Sequence, residues 1–311
     1  MKAHVIRWMI AVVMLAAMAL LISSPALAEV RPLPLDINEH GYKPLKEGWS
    51  SKVEYKDESI EVTYKNGSIK AKSSSTKVTT RMVTIKIADP TQLRTTMSNE
   101  SYDDPRLARA VAMAKSMDAV VACNGDFMKY SYDFGYVVRQ GVLYRDALDG
   151  KRDILIIDDK GDFDYVLQAT SDMMAEKVAE IEADGRKIIN SFSFGPVLVD
   201  NYELIEHSWY GVGEITEGYA RAALCQMAPL HYLVAAANTT GPYQDIPTVA
   251  TFAKNIAATG CKMAYCLDGG QTATIVMNDQ LINRPVYGQQ RKISDIIYFA
   301  TAVPEGGADN G

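Results

Sequence analysis

The stretch that decides the fold is Tyr265-Cys266-Leu267-Asp268-Gly269-Gly270-Gln271-Thr272. In it an apolar run ends at an acid, and two glycines and two polar residues follow. This pattern predicts a buried strand that carries the Asp268 carboxylate into a tight turn. Glycine lets backbone N–H groups approach a bound group closely. Such a turn can hold a phosphate or a sugar beside a carboxylate, or it can be only a tight turn.

A second predicted strand end has the same layout. Residues 121–126 run from apolar side chains into Asn124, Gly125 and Asp126. Functional residues often gather at strand ends, because a rigid sheet fixes the loops that follow. Alone, each end predicts a turn with a hydrogen-bonded acid. Taken together with arginines that can supply positive charge, the two ends favour a ligand-binding site.

The first 28 of the 311 residues have the layout of a signal peptide. Lys2 and Arg7 precede a short apolar run from Trp8 to Ile22, and Ala26-Leu27-Ala28 is a small-residue cleavage pattern. We expect export, with cleavage after Ala28 and a secreted or cell-envelope location; an uncleaved anchor is the alternative. No later stretch is long and apolar enough for a membrane span, so none is expected in the mature chain.

The composition is acidic, with 32 Lys and Arg against 38 Asp and Glu and a net charge of −6. An acidic chain has no electrostatic footprint for nucleic acid, so no such partner is expected. A phosphorylated ligand would need local arginines, and Arg139, Arg221 and Arg291 are the candidates, because the guanidinium fork matches phosphate oxygens. For each of them a structural or surface ion pair is the alternative.

Four cysteines, Cys123, Cys225, Cys261 and Cys266, allow three disulfide pairings in an exported chain. Cys123 and Cys266 lie in apolar runs, which favours buried thiols there. The sequence has no zinc-type cysteine or histidine spacing and no Walker or Rossmann glycine pattern. We therefore expect neither a metal nor a cofactor.

Strands dominate the chain, with about three helices between them. Apolar patterns predict strands near residues 78–87, 119–123, 154–157, 188–199, 220–224, 232–237, 263–267 and 296–302. They predict helices that begin near Asp104-Pro105, Ser171 and Pro247. The expected class is α+β: a mixed, strand-rich β-sheet with about three packed helices in a single main domain.

Four parts are expected along the chain. They are a signal peptide at 1–28, an extended lead-in at 29–75, the main domain at 76–303 and a disordered tail at 304–311. Within the lead-in, Asn66-Gly67 follows an alternating run and predicts the turn of a hairpin.

Four motifs, in this order, resemble the phosphodiester glycosidase family. They are Asn-Gly-Asp-Phe at 124–127, Phe-Gly-Pro-Val-Leu-Val at 194–199, Arg-Ala-Ala at 221–223 and Leu-Asp-Gly-Gly-Gln-Thr at 267–272. The resemblance covers roughly residues 78–302. The chain departs from the usual family pattern at Asp126, at residues 238–241 and at Gln271.

The resemblance implies hydrolysis of the bond between a sugar's anomeric carbon and a phosphodiester oxygen. Ordinary glycosidases need a second carboxyl group to protonate the departing oxygen, because an alkoxide is a poor leaving group. A phosphate leaves more easily. The resemblance implies that Asp268 stabilises the charged anomeric centre or activates water, and that Asp126 is a second acid that can serve as base. It implies that Arg221 holds the phosphate. These three are the expected catalytic residues.

The remaining expected site residues bind substrate. They are Asn124, Gly125, Arg139, Gly195, Gly269, Gly270, Thr272 and Arg291. The expected partner is a phosphodiester-linked carbohydrate of a bacterial envelope or exopolysaccharide. Two alternatives stay open: a non-catalytic glycan-binding or wall-associated protein on the same scaffold, suggested by the changed residues around Asn238, and a metal-dependent phosphodiesterase.

Overall fold

The computed structural model describes residues 27–70, 77–126, 133–207, 210, 216–237 and 247–306. These residues form three α-helices, α1 (Ala110–Ser116), α2 (Ser171–Ala183) and α3 (Val249–Ala257). Short 3₁₀ turns occupy Lys46–Gly48, Pro90–Gln92, Ser98–Glu100 and Val286–Gly288. The strands are β1 (Tyr55–Lys56), β2 (Ile60–Lys70), β3 (Lys77–Ile87), β4 (Leu93–Met97), β5 (Ala108–Arg109), β6 (Val121–Asn124), β7 (Gly135–Arg139), β8 (Val142–Ala147), β9 (Ile154–Asp158), β10 (Phe163–Val166), β11 (Ile188–Phe192), β12 (Val197–Asp200), β13 (Glu203–Leu204), β14 (Ala222–Ala228), β15 (His231–Ala237), β16 (Met263–Leu267), β17 (Ile275–Met277), β18 (Gln280–Leu281), β19 (Lys292–Ile293) and β20 (Asp295–Phe299).

The strands form one large sheet and several smaller ones. The large sheet has eight strands in the order β1-β2-β3-β15-β14-β16-β12-β13. A five-stranded sheet has the order β18-β17-β6-β20-β4, a three-stranded sheet the order β10-β9-β11, and β19–β5 and β7–β8 form two-stranded ladders. The predicted α+β class is confirmed. In detail, the ladders of the described residues are antiparallel and lie in several sheets, where one mixed sheet was expected.

The large sheet is buried on both faces, because successive side chains of a strand point to opposite sides. In β16, Tyr265 and Leu267 enter a core that the large sheet shares with the five-stranded and three-stranded sheets. Ala264 and Cys266 pack on the opposite face, against α3. Burial on both faces explains why this strand is a continuous apolar run in the sequence.

The two other helices cover the outer faces of the smaller sheets. Met113 and Ala114 of α1 belong to the cluster that contains Ile296 and Tyr298 of β20. In the same way α2 covers the three-stranded sheet. The layers therefore run from α3 through the large sheet and the shared core to the five-stranded sheet and α1.

The helix starts follow local capping chemistry. Thr248 Oγ1 accepts a hydrogen bond from the Thr251 N–H at 3.2 Å, so α3 begins close to the predicted position. The predicted start of the first helix at Asp104 is wrong, because α1 begins at Ala110. The Asp104 carboxylate instead accepts a hydrogen bond from the Arg106 N–H at 2.9 Å in a local turn.

The predicted hairpin turn at Asn66-Gly67 is also wrong. Both residues lie inside β2, where Asn66 pairs with Arg81 and Gly67 with Thr80 of β3. Eleven consecutive pairs with β3 outweigh the local turn preference. Strand β2 therefore belongs to the large sheet.

Both ends of the described chain are tied to the domain. Val30 forms a bridge with Pro304, and Tyr42 forms one with Thr301. Residues 1–26, which contain most of the predicted signal peptide, and residues 307–311 of the predicted tail lie outside the described residues. Among the described residues, no helix is both long and apolar enough to cross a membrane.

All four cysteines are buried free thiols. The prediction of buried thiols at Cys123 and Cys266 is confirmed. None of the three disulfide pairings is formed in this structure.

Candidate active site

Asn124 joins the two strand ends that the sequence singled out. Its Nδ2 donates to the Asp268 carbonyl oxygen at 2.9 Å, and its Oδ1 accepts from the Thr274 N–H at 3.1 Å. Strands β6 and β16 lie in different sheets, so this bridge brings Asp126 and Asp268 to one site. Asn124 is fully buried. Asn124 therefore forms a structural bridge, and its predicted contact to substrate stays a prediction.

Asp268 is partly exposed as a residue, but its carboxyl group is buried. Burial raises its pKa to about 6, and the negative charge of Asp126 adds to the rise. Thr272, the Gly269 N–H at 2.7 Å and the charge of Arg291 limit it. A carboxyl group with this pKa changes its protonation close to neutral pH, as a catalytic acid or base must.

Thr272 lies beside the Asp268 carboxyl group. Its hydroxyl is buried and makes no hydrogen bond of standard geometry with a described residue, although it lies close enough to Asp268 to lower the pKa of that carboxyl. A buried hydroxyl normally has a partner. The position fits the predicted polar contact to substrate, which stays a prediction.

The N–H groups of the two glycines after Asp268 donate hydrogen bonds within the protein. The Gly269 N–H donates to the Asp268 carboxylate, and the Gly270 N–H donates to the Ala220 carbonyl oxygen at 2.8 Å. A Cβ at position 269 would overlap that carbonyl oxygen, and Gly270 has φ +63°. The glycines therefore permit a tight turn against Ala220, and the predicted hydrogen bonds from their N–H groups to a ligand stay a prediction.

Arg221 follows directly after Ala220. Its Nη2 donates to the Glu217 carbonyl oxygen at 2.9 Å, and its Cζ lies 5.3 Å from the Tyr219 ring centroid. Arg291 is exposed, and its N–H donates to the Gln271 carbonyl oxygen at 3.2 Å. Both arginines thus flank the Asp268 turn, and Arg291 is a cation whose charge acts on the Asp268 carboxylate.

Asp126, the second acid, is held by a residue that the sequence analysis did not select. Its Oδ2 accepts the Ser193 N–H at 2.6 Å, and it is almost fully buried. The Ser193 hydroxyl in turn accepts from the Tyr136 N–H at 3.0 Å. The available signal for Ser193 was its position just before the Phe-Gly-Pro motif.

Gly195 of that motif faces Tyr210. It has φ +76°, and a Cβ there would overlap the Tyr210 hydroxyl. This hydroxyl donates to the Phe194 carbonyl oxygen at 2.9 Å and accepts from the Asp153 N–H at 2.7 Å. Tyr210 fills the space beside Gly195, and the predicted ligand contact there stays a prediction.

Arg139 was predicted either to contact phosphate or to form an ion pair, and in this structure it forms the ion pair. It is fully buried, and its Nε and Nη2 donate to Asp295 Oδ2 at 2.9 and 2.6 Å. Its Nη1 donates to the Val138 and Ser191 carbonyl oxygens. Burial raises the pKa of Asp295 to about 6, and Arg139 limits that rise.

Gly125 packs on the same Asp295 carboxylate. A Cβ at position 125 would lie 2.6 Å from Asp295 Oδ2, and the Gly125 N–H donates to the Asp295 carbonyl oxygen at 3.2 Å. Only glycine permits this approach. Gly125 therefore provides close packing one residue before Asp126, and its predicted ligand contact stays a prediction.

Arg152 is a nearly buried cation that the sequence analysis missed. Its Nη1 donates to the Ser193 carbonyl oxygen at 3.4 Å, and its Cζ lies 5.9 Å from the Phe134 ring centroid. It precedes β9 and belongs to no motif, so no signal in the sequence distinguished it. It is next to the residue that holds Asp126.

In the part of the chain that the structure describes, no three His, Cys, Asp or Glu side chains are arranged to hold a metal ion. Phe127 and the departure at residues 238–241 lie outside the described residues.

Two acids at facing strand ends, flanked by arginines, are the arrangement of a glycosidase-type hydrolase. The chain belongs to the phosphodiester glycosidase family, whose model matches residues 117–300. The match includes both strand ends, the Phe-Gly-Pro motif and Arg291.

Solved structures share the fold. The catalytic domain of zebrafish N-acetylglucosamine-1-phosphodiester α-N-acetylglucosaminidase, auto-inhibited by its pro-peptide, has a TM-score of 0.61 and 16% identity, over 84% of this chain and 87% of that one. A hypothetical protein from Synechocystis has a TM-score of 0.53 and 14% identity, over 76% of this chain and 61% of that one. A Burkholderia pseudomallei protein described as a candidate exported protein has a TM-score of 0.50 and 12% identity, over 73% of this chain and 75% of that one. A comparison with curated protein sequences gives no match.

Proposed function

We propose that this protein hydrolyses the bond between the anomeric carbon of a sugar and a phosphodiester oxygen, releasing free sugar and a phosphomonoester. The observation that carries the proposal is the buried Asp268 carboxylate at the end of β16, which lies near Asp126 and has a pKa raised to about 6. Membership of the phosphodiester glycosidase family supports the same reaction.

In this reaction the two acids have different surroundings. Asp268, ionised above about pH 6, stabilises positive charge at the anomeric carbon or activates the attacking water. Asp126 is the second acid, and the Ser193 N–H orients it. The departing phosphate needs positive charge more than it needs a proton, and Arg221 and Arg291 supply that charge.

We propose an extracytoplasmic location and a phosphodiester-linked glycan of a cell envelope or exopolysaccharide as substrate. The signal-peptide layout of residues 1–28 supports export. The description of the Burkholderia pseudomallei structural neighbour as a candidate exported protein agrees with it. The family supports a sugar joined through a phosphodiester.

The test is incubation of the purified mature protein with a panel of sugar-1-phosphodiesters, with products identified by mass spectrometry. We expect free sugar and phosphomonoester from at least one member, and a loss of at least about 10²-fold in turnover for Asp268→Asn. Asp279→Asn is the matched control, because Asp279 is exposed in the β17–β18 turn.

Three outcomes would contradict the proposal. Saturable binding without release of sugar would make the protein a non-catalytic glycan binder. Loss of activity with a chelator would indicate a metal-dependent phosphodiesterase. Activity of Asp268→Asn close to that of the wild type would remove Asp268 from the mechanism.

A further inference from the structure

Cys225 and Cys261 are two buried thiols that the fold places side by side. Cys225 belongs to β14, and Cys261 lies between α3 and β16. The Lys262 N–H donates to the Gln226 carbonyl oxygen at 2.9 Å, so a hydrogen bond joins the backbones next to the two cysteines. Both side chains are buried in the cluster between the large sheet and α3. The thiols are close enough for a hydrogen bond from Cys225 to lower the pKa of Cys261.

The other two cysteines are not arranged in this way. Cys123 lies in the shared core, on the opposite face of the large sheet. Cys266 is on the α3 face, but in the β14–β16 ladder it lies two residues beyond the partner of Cys225. Such diagonal neighbours are typically about 7 Å apart, whereas the two Cβ atoms of a disulfide are about 4 Å apart. Most of β16 separates Cys266 from Cys261. One pair of cysteines can therefore be joined without rearranging the strands.

We propose that Cys225 and Cys261 form a disulfide in the exported protein. The inference rests on the extracytoplasmic location in the proposed function, because disulfides form and persist in such compartments. The oxidant is a second disulfide, in a thiol oxidase or in oxidised glutathione. Its S–S bond breaks and its two sulfurs take up the two electrons and two protons of the cysteine thiols, while one S–S bond forms between Cys225 and Cys261. Because α3 covers both sulfurs in the folded protein, this exchange takes place before α3 packs on the sheet.

The surroundings of Cys261 tolerate the loss of its thiol hydrogen. That thiol donates to the Ile256 carbonyl oxygen at 3.7 Å, near the end of α3. The same carbonyl oxygen accepts from the Thr259 N–H at 2.9 Å and from the Thr259 hydroxyl at 2.6 Å. Oxidation of Cys261 therefore leaves no buried acceptor without a donor.

The bridge joins the two strands that carry the site, at the end of their ladder away from it. Strand β14 begins directly after Arg221, and β16 ends directly before Asp268. The bridge closes a loop of roughly 36 residues, which restricts the unfolded chain and so favours the folded state. The disulfide thus stabilises the ladder without touching the residues at its catalytic end.

The first experiment maps the cysteines of the wild-type protein. The full chain is expressed with residues 1–28, collected outside the cytoplasm and purified without reductant. Free thiols are alkylated in denaturant, and the peptides are identified by mass spectrometry. We expect alkylation at Cys123 and Cys266, and a peptide pair joined through Cys225 and Cys261. A bridge between any other two cysteines would overturn the inference.

Refolding separates this inference from the proposed location and activity. The purified mature chain is reduced, unfolded and refolded with reduced and oxidised glutathione, and its cysteines are mapped in the same way. Four alkylated cysteines after refolding would overturn the disulfide, whether or not the protein hydrolyses a phosphodiester. A bridge that forms on refolding but is missing from the protein collected from cells would overturn the proposed location instead.

Thermal unfolding measures what the bridge contributes. We expect the Tm of the oxidised wild type to exceed that of its reduced form by about 5–10 °C. Cys225→Ala and Cys261→Ala should show no such difference, and the control Cys123→Ala should keep it. Each variant is compared with its own reduced form, so any change in core packing cancels. Equal Tm values for the two wild-type forms, or a difference that persists in Cys225→Ala, would overturn the inference.

Discussion

Arg139 Nη2 lies 2.6 Å from Asp295 Oδ2, and both side chains are completely buried. The pair connects the last residue of β7 to the first residue of β20. Gly125 rests on the same carboxylate, one residue before Asp126. The ion pair therefore supports the strand end that carries the second acid of the site.

Removal of one partner of this pair should be costly, because it leaves a buried charge uncompensated. For Arg139→Met we expect a loss of about 3–5 kcal/mol in the free energy of unfolding, measured by urea denaturation. Lys56→Met is the control. Lys56 pairs with Glu61 at the surface and should contribute less than about 1 kcal/mol. A loss for Arg139→Met as small as the control would contradict the structural role.

The double variant Arg139→Met with Asp295→Asn extends this test. Because it removes both charges, it should recover part of the stability lost in Arg139→Met alone. A loss of stability in the double variant equal to the sum of the losses in Arg139→Met and Asp295→Asn would show that the charges do not act as a pair.

The sequence identified the strand ends correctly but not the use of their polar groups. Period-two and apolar patterns predicted β3 and β16, and helical spacing predicted α3, since these patterns follow from burial. The sequence left Arg139 open between a phosphate contact and a structural ion pair, because its partner, Asp295, is 156 residues away and no local pattern indicates the pair. Ser193 was missed because it acts through its backbone N–H, which every non-proline residue has.

Local signals failed where a distant strand outweighed them. Asn66-Gly67 has strong turn chemistry, yet the pairing with β3 keeps both residues extended. The glycines after Asp268 were correctly predicted to mark a tight turn. The sequence could not show that the Ala220 carbonyl oxygen, rather than a ligand, occupies the space beside them.

The two glycines of that turn should respond differently to substitution. Gly269→Ala brings a Cβ onto the Ala220 carbonyl oxygen, so the turn must move and Asp268 with it. We expect a loss of turnover of about 10²-fold for a displacement of this kind. Gly270→Asn meets open space at φ +63°, and asparagine tolerates this region at a cost of about 1 kcal/mol or less. Steady-state kinetics and thermal unfolding of the two variants check this contrast.

The informative result is which of the two variants loses more turnover. If Gly270→Asn lost more turnover than Gly269→Ala, the Gly270 N–H or its φ angle would matter to the ligand. That result would support a hydrogen bond from the Gly270 N–H to a ligand, although in this structure the same N–H donates to the Ala220 carbonyl oxygen.

Asp268 should destabilise the folded protein at neutral pH. Its folded-state pKa of about 6 lies above the ordinary value of 3.8, so the folded state binds the proton more tightly. Its contribution to stability is therefore present below about pH 4 and is lost as the pH rises through about 6. Asp268→Asn cannot ionise, so its Tm relative to the wild type should increase between pH 4 and pH 7. A constant Tm difference would show that burial does not disfavour the Asp268 carboxylate.

The same pKa predicts the pH dependence of turnover. If Asp268 acts as a carboxylate, kcat/KM should rise with pH and level off above about 6, because the ionised fraction follows the raised pKa. The positive charge of Arg291 lowers the pKa of Asp268, so Arg291→Gln should move the inflection to higher pH, whereas Arg291→Lys should keep it near the wild-type position. Kinetics across pH 4.5–8.5, a range of about four units around that pKa, check both variants. An inflection that stays fixed in Arg291→Gln would assign the titration to another group, and activity that falls through pH 6 would require a protonated Asp268 acting as an acid.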